Sequence, residues 1–215
     1  MNERSFTVPA MSHSQPAPLA DRRKQILQAA MVCFAGHGFH QSSMQDISKE
    51  AGISVGLIYR YFQNKDAVIS AMADEHKAEI QELLKQARQA PSLLEAFDIL
   101  FTWNCCDHSP QVVTAFVVDL FAEAGRNPGV ANLVRDVART AKIGVTDLIA
   151  RSPEAADLPA NLTPGDVAEM IFALNDGMLM RDVLTDLTPT ERRARQSHCA
   201  RNLWTLLFAH QAQPA

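Results

Sequence analysis

Four hydrogen-bond donors lie close together in GISVGLIYRYFQNKDAV, residues 52–68. Tyr59 and Tyr61 carry phenolic hydroxyls on rigid stems, which suit phosphate oxygens. Arg60 can bind a guanine edge through two N–H groups or can take a phosphate. Lys65 lies at a predicted helix start, where the helix dipole and free backbone N–H groups also favour a phosphate. These residue types indicate the binding of a polyanion.

A second group of reactive side chains is WNCCDH, residues 103–108. Cys105, Cys106, Asp107 and His108 all belong to the types that ligate metals. Adjacent cysteines on one helix cannot easily face one site, however, and no second cluster has matching spacing. We therefore predict no metal site. A thiol or metal response through the cysteine pair remains the alternative hypothesis.

The sequence carries none of the common catalytic signatures, since GxSxG, GxxxxGK[ST], HExxH and GxGxxG are all missing. It predicts no catalytic residues, no cofactor and no enzyme activity. No run of about 18 apolar residues exists, and the N-terminus lacks an apolar signal core. The four cysteines form no CxxC pair, which suits reduced thiols. We therefore expect a cytoplasmic protein without a membrane span.

Charge is divided unevenly along the 215 residues, although the net value is −4. Residues 1–65 contain seven Lys and Arg against four acidic residues, whereas the remainder contains 13 against 20. A mildly basic head on an acidic body indicates two separate tasks.

The elements that position these residues are predicted to be helices, because apolar residues recur at helical spacing and hairpin signals are lacking. Cap patterns mark several starts: Ser43 with Asp46, Asn64, TPGD from residue 163 and TPTE from residue 188. The prediction is an all-α fold of about nine helices, near 21–37, 43–51, 54–62, 65–89, 91–105, 110–124, 128–151, 164–185 and 189–210.

Residues 43–62 form a helix, a tight turn and a second helix, with Ile58 and Phe62 as the buried edge of the second. A helix-turn-helix of this kind lays its second helix in the major groove of DNA. Gly56 has no side chain, so the first turn of that helix can approach DNA closely. Ser54, like Ser43, begins a helix and offers an N-terminal anion site.

Over about residues 22–68, from ILQAAMVCFAGHGF through SSMQDISKEAGISVGLIYRYFQNKDAV, the chain resembles the DNA-binding domain of TetR-family transcriptional regulators. Ser48 departs from the alanine common in that family. The resemblance implies a homodimer that binds double-stranded DNA at a pseudo-palindromic operator. It also implies a repressor that a small effector binding the helical body releases from DNA.

The resemblance also assigns roles to residues and divides the chain. Gln45 falls at a position of base contact; Ser43, Tyr59, Tyr61 and Lys65 fall where phosphate contacts are usual; Val55, Gly56, Leu57 and Arg60 line the side that faces the groove. Leu57 is apolar, which suits a thymine methyl group. The predicted division is a flexible arm (1–19), the helix-turn-helix domain (20–66) and a ligand-binding and dimerisation domain (67–215).

Aromatic residues of the body either pack in its core or line an apolar effector cavity, where a few polar residues would orient the ligand. The pocket candidates are Phe97, Phe101, Trp103, Asn104, Phe116, Asp119, Phe172, Asn175 and Asp176. The apolar faces of the last two helices predict half of a four-helix bundle between subunits, or else an intrachain core. The interface candidates are Ile171, Leu174, Met178, Leu203, Trp204, Leu207 and Phe208.

Overall fold

A computed structural model describes residues 19–102 and 110–208. Across these two ranges the chain is helical and contains no strand, which confirms the all-α fold. The elements are α1 (Leu19–Gln41), α2 (Met44–Glu50), α3 (Val55–Tyr59), α4 (Lys65–Ala87), α5 (Leu93–Thr102), α6 (Pro110–Ala124), α7 (Pro128–Ala150), a short 3-10 turn (Pro153–Asp157), α8 (Pro164–Asp182) and α9 (Pro189–Phe208).

The predicted caps begin the helices as expected. The Ser43 hydroxyl oxygen accepts from the Asp46 N–H at 3.2 Å, and the Asp46 carboxylate accepts from the Ser43 N–H at 3.0 Å. This reciprocal pair satisfies two backbone donors that a helix end leaves free. Comparable side-chain bonds begin α4 at Asn64, α8 at Thr163 and α9 at Thr188.

Two boundaries differ from the prediction. The helix that starts at Ser54 ends at Tyr59 instead of Phe62, because the chain tightens into a turn in which the N–H groups of residues 61 and 62 both donate to the Ile58 carbonyl. The first helix passes residue 37 and continues to Gln41. It is interrupted at Gly38, whose φ of 78° is a left-handed conformation that glycine tolerates.

The buried apolar residues form two clusters. The head cluster joins α1, α2 and α3 to the first turns of α4 through residues such as Phe34, Ile47 and Ile58. Parts of α6 and α7 pack against it as well, through residues that include Val130. The body cluster contains the later turns of α4 and helices α5, α7, α8 and α9. Helix α4 runs through both clusters. The predicted boundary between the helix-turn-helix domain and the ligand-binding domain, between residues 66 and 67, therefore falls inside a continuous helix.

The residues predicted for a dimer interface lie in the body cluster or against it. Ile171, Met178, Leu207 and Phe208 are buried within the chain itself, and Leu174, Leu203 and Trp204 pack partly buried against them. The Trp204 ring stacks on Phe208 with centroids 4.4 Å apart and meets Phe97 edge-on at 6.3 Å. The apolar faces of α8 and α9 therefore build the intrachain core.

No helix in the described ranges combines the length and the apolar character that crossing a membrane requires.

The three reciprocal caps make stability depend on pH. Hydrogen bonds from each cap hydroxyl and cap amide hold the pKa of Asp46, Asp166 and Glu191 below the ordinary carboxyl values. Since the folded pKa is the lower one, this stabilisation is fully present above about pH 5 and is lost as the pH falls through the folded values. We expect the thermal midpoint to fall with acidification below about pH 5. The midpoint should fall less steeply with pH in the triple variant Asp46→Asn, Asp166→Asn, Glu191→Gln. An equally steep fall in this variant would contradict the role of the three caps in the pH dependence.

Candidate nucleic-acid interface

The helix-turn-helix is held by a buried edge and a left-handed glycine. Ile47 of α2 and Ile58 of α3 are fully buried, and Phe62 closes the edge. Between the helices, Gly52 adopts a φ of 64°, and the Ile53 N–H donates to the Ser48 carbonyl at 3.0 Å. The turn therefore fixes α3 against α2 and leaves the opposite side of α3 to solvent.

Most of the predicted DNA-contacting residues are exposed to solvent, some on α2 and some on α3. Ser43, Gln45, Ser54, Gly56, Tyr59 and Arg60 are exposed, whereas Val55, Leu57, Tyr61 and Lys65 are half-buried. The two tyrosines differ: Tyr59 is 53% exposed, while Tyr61 packs against the head cluster. Tyr59 therefore has the freer hydroxyl of the two.

Gly56 has no evident structural reason to be glycine. Its backbone has no positive φ, and a Cβ built at this position would meet nothing within 4 Å. Glycine costs about 1 kcal/mol relative to alanine inside a helix. Open space that the fold does not fill is consistent with a partner that approaches the backbone closely.

The anion site predicted at Ser43 is already occupied by an acidic side chain. The Asp46 carboxylate accepts hydrogen bonds from both the amide and the hydroxyl of Ser43, at 3.0 and 2.6 Å. The first turn of α3 carries no acidic residue, and the Ser54 hydroxyl oxygen accepts from the Leu57 N–H at 3.3 Å. Ser54 is therefore the better placed of the two serines for a phosphate.

Lys65 has a different environment from the one that the sequence suggested. Its ammonium donates to the carbonyls of Phe39, His40 and Ser42, and lies 4.4 Å from the centre of the Phe39 ring. Burial lowers the pKa of Lys65, against the opposing effect of Asp66 and Glu123. In this arrangement the ammonium holds the end of α1, and a direct phosphate contact would compete with those bonds.

Two carboxylates that bind the head come from α6, far away in the chain. Asp119 accepts from the Phe39 N–H at 2.9 Å, and the buried Glu123 lies 2.9 Å from Nε2 of His40. Phe116 stacks beside Phe34 with centroids 6.4 Å apart. Asp119 and Phe116, two of the pocket candidates, thus contact the head. No local pattern connects residues 80 positions apart, which is why the sequence did not reveal these contacts.

The other described pocket candidates lie in the body core or on α8. Phe97 and Phe101 are buried in the body core, and Phe172 packs against that core. Asn175 is half-buried and Asp176 is exposed on α8. A surface groove of about 670 Å³ lies along α7 and is lined by other residues. Trp103 and Asn104, like Cys105 and Cys106, lie outside the described residues.

An exposed α3, anchored on a buried edge and preceded by a capped α2, defines a helix-turn-helix DNA-binding protein. A model of bacterial regulatory proteins of the tetR family matches residues 26–72, and a model of the C-terminal part of BetI-type transcriptional repressors matches residues 101–207. The chain belongs to the TetR family. Its members are transcriptional regulators, not enzymes.

Curated and solved relatives agree with this assignment. The transcriptional regulator UidR of Escherichia coli K12 is 29% identical over 170 residues, which are 77% of either chain. The fatty acid degradation regulator FadR of Bacillus halodurans superposes with a TM-score of 0.72 at 22% identity, over 88% of this chain and 96% of its own. FadR of Bacillus subtilis, solved in complex with stearoyl-CoA, gives 0.65 at 17% identity over 84% and 96%. These two structures support the fold alone.

Proposed function

We propose that the protein is a ligand-responsive repressor that binds a palindromic operator as a homodimer and is released by a small, largely apolar effector. The observation that carries the proposal is the solvent-exposed face of α2 and α3, where Gln45, Gly56, Tyr59 and Arg60 lie open beside a firmly buried edge. Such a protein acts where the chromosome is, so we place it in the cytoplasm.

In the proposed complex, α3 enters the major groove. Gly56 allows its first turn to come close to the bases, and Leu57 contacts a thymine methyl group. Arg60 binds a guanine edge or a phosphate. The proposed remaining contacts are Gln45 and Val55 in the groove, with Ser43, Ser54, Tyr59, Tyr61 and Lys65 at the backbone. Tyr59 and Ser54 have the most accessible groups of the phosphate set, whereas Ser43 and Lys65 would first have to release bonds within the head.

The homodimer is proposed to form through the outer faces of α8 and α9, since their inner faces are used within the chain. Met170 and Leu206 are 41% and 74% exposed, so both outer faces carry a large apolar side chain that the chain itself does not cover. The exposed Ala173 and Gly177 lie three and seven residues after Met170, on the same side of α8. A Cβ added to Gly177 would meet nothing within 4 Å. A small-residue face allows a second copy to pack closely about a two-fold axis.

The effector is proposed to be largely apolar because the body core is rich in aromatic and aliphatic side chains. The stearoyl-CoA held by Bacillus subtilis FadR is an example of such a ligand on a similar fold. An effector releases DNA only if it binds one arrangement of the heads better than the other. The alternative, a response through Cys105 and Cys106, concerns residues outside those described, and the similar proteins lend it no support.

Arg60 offers a direct test of the proposed contacts. We expect Arg60→Ala to weaken operator binding by about 1–3 kcal/mol, which corresponds to roughly 5- to 150-fold. If Arg60 contacts a base, the variant should lose sequence preference at one position of the operator. If it contacts a phosphate, the plot of log affinity against log salt concentration should become shallower by about one unit. Arg135→Ala, which removes an exposed arginine of α7, is the matched control. Equal affinity of both variants, measured by fluorescence anisotropy across salt concentrations, would contradict the proposal.

A further inference from the structure

Residues 38–42 form the α1–α2 connection, which leads from the interruption in α1 to the N-cap of α2. Ser42 is buried, and its hydroxyl donates to the carbonyls of Cys33 and Gly38 at 3.0 and 2.8 Å. The next residue, Ser43, caps α2. The position of this connection therefore sets where the helix-turn-helix begins.

Helix α6 binds the connection through two carboxylates. Asp119 Oδ2 accepts from the Phe39 N–H at 2.9 Å, and one turn later Glu123, whose side chain is 1% exposed, contacts His40. Two features favour glycine at residue 38. Its φ of 78° is strained for other residues, and a Cβ there would lie only 3.3 Å from Asp119 Oδ1. The backbone of the connection is thus fitted closely to the Asp119 carboxylate.

Helix α4 binds the same connection through its carbonyls. Lys65, the first residue of α4, donates to three of its carbonyls, including that of Phe39. The amide and the carbonyl of Phe39 are therefore held by different parts of the molecule, the amide by α6 and the carbonyl by α4. A shift of α6 would therefore reach the start of α4 through this connection.

We propose that Asp119 is a positioning residue for DNA binding: by holding the Phe39 amide, it fixes the α1–α2 connection to α6, and Lys65 passes that position to α4. This inference rests on the proposed function for its DNA readout, but the Phe39 bond itself does not. Asp119 touches no DNA in this account and acts only through the connection.

The first experiment measures hydrogen exchange of the Phe39 amide in the full-length free protein. Asp119→Ala should speed this exchange by about tenfold or more, since a charge-assisted hydrogen bond is lost. The control is Asp136→Ala, which removes an α7 carboxylate bound to Lys77 and Arg139, away from the connection. Equal Phe39 exchange in the wild type and in Asp119→Ala would overturn the inference.

The second experiment measures affinity for a duplex that the wild-type protein selects from a random library. Asp119→Ala should bind it about tenfold more weakly, because the segment that leads into α2 loses its hold on α6. Asp136→Ala should bind like the wild type. Unchanged affinity of Asp119→Ala, or an equal loss in Asp136→Ala, would overturn the positioning role.

The variant Asp119→Asn keeps the inference testable if Asp119→Ala does not fold. Asparagine preserves the size and an acceptor oxygen but loses the charge, so Phe39 exchange and DNA affinity should both lie between the wild type and the alanine variant. An asparagine variant that is indistinguishable from the wild type in both measurements overturns the inference. A wild-type protein that selects no duplex refutes the proposed function instead, while the exchange experiment still tests the bond.

Discussion

Gly56→Glu should abolish operator binding and leave the fold intact. A side chain at this position projects into open solvent from an ordinary helical backbone, so the isolated protein has room for it. In the proposed complex the same carboxylate would lie against DNA, where a like charge costs several kcal/mol. We expect at least about a hundredfold loss of affinity, or roughly 3 kcal/mol, measured by anisotropy on the selected duplex.

The matched control is Ala78→Glu, which adds the same charge at an exposed position of α4. It should bind DNA like the wild type. Gly56→Ala separates binding from stability, since alanine should stabilise the head by up to about 1 kcal/mol while weakening DNA binding. A Gly56→Glu protein that binds with wild-type affinity would show that α3 does not face the DNA at this residue.

Asp182→Ala should cause the largest loss of stability among single changes outside the apolar core. Asp182 is buried at the end of α8 and pairs with Arg192 and Arg195 of α9. Removing one partner of a buried ion pair costs about 3–5 kcal/mol, because a charge is left without compensation. For a protein of this size the midpoint of thermal unfolding should fall by about 10 °C or more.

Asp186→Ala is the control, since it removes an exposed carboxylate four residues further on. It should shift the midpoint by less than about 2 °C. Restoring apolar packing with Asp182→Leu and Arg192→Met together should recover part of the loss, as buried ion pairs are often replaceable by apolar groups. A midpoint for Asp182→Ala close to that of the control would contradict a buried network that joins α8 and α9.

Local chemistry was readable from the sequence. The cap residues Ser43, Asn64 and Thr163 act on backbone groups a few positions away, so their spacing predicts their bonds. Helical spacing also predicts that Ile58 and Phe62 point inward. These signals suffice for the helices and for the general position of the DNA-binding face.

Contacts between distant elements were not readable in this way. Lys65 at a helix start suggests an anion, yet the folded chain brings three carbonyls to its ammonium. On α8, Met170 and Ile171 are adjacent apolar residues, and only tertiary packing decides that Ile171 is buried while Met170 is exposed. Asp119 meets Phe39 across 80 residues, and no periodicity encodes that pairing.

The central claim is that this chain recognises a specific DNA sequence as a two-fold symmetric dimer. The most direct test incubates the purified full-length protein with random duplexes, at about 150 mM salt, and sequences those that it retains. We predict an enriched pair of inverted half-sites whose centres lie about one helical turn apart or somewhat more, ~34 Å, and binding that weakens as salt rises. Retention of duplexes without any shared sequence would contradict the claim.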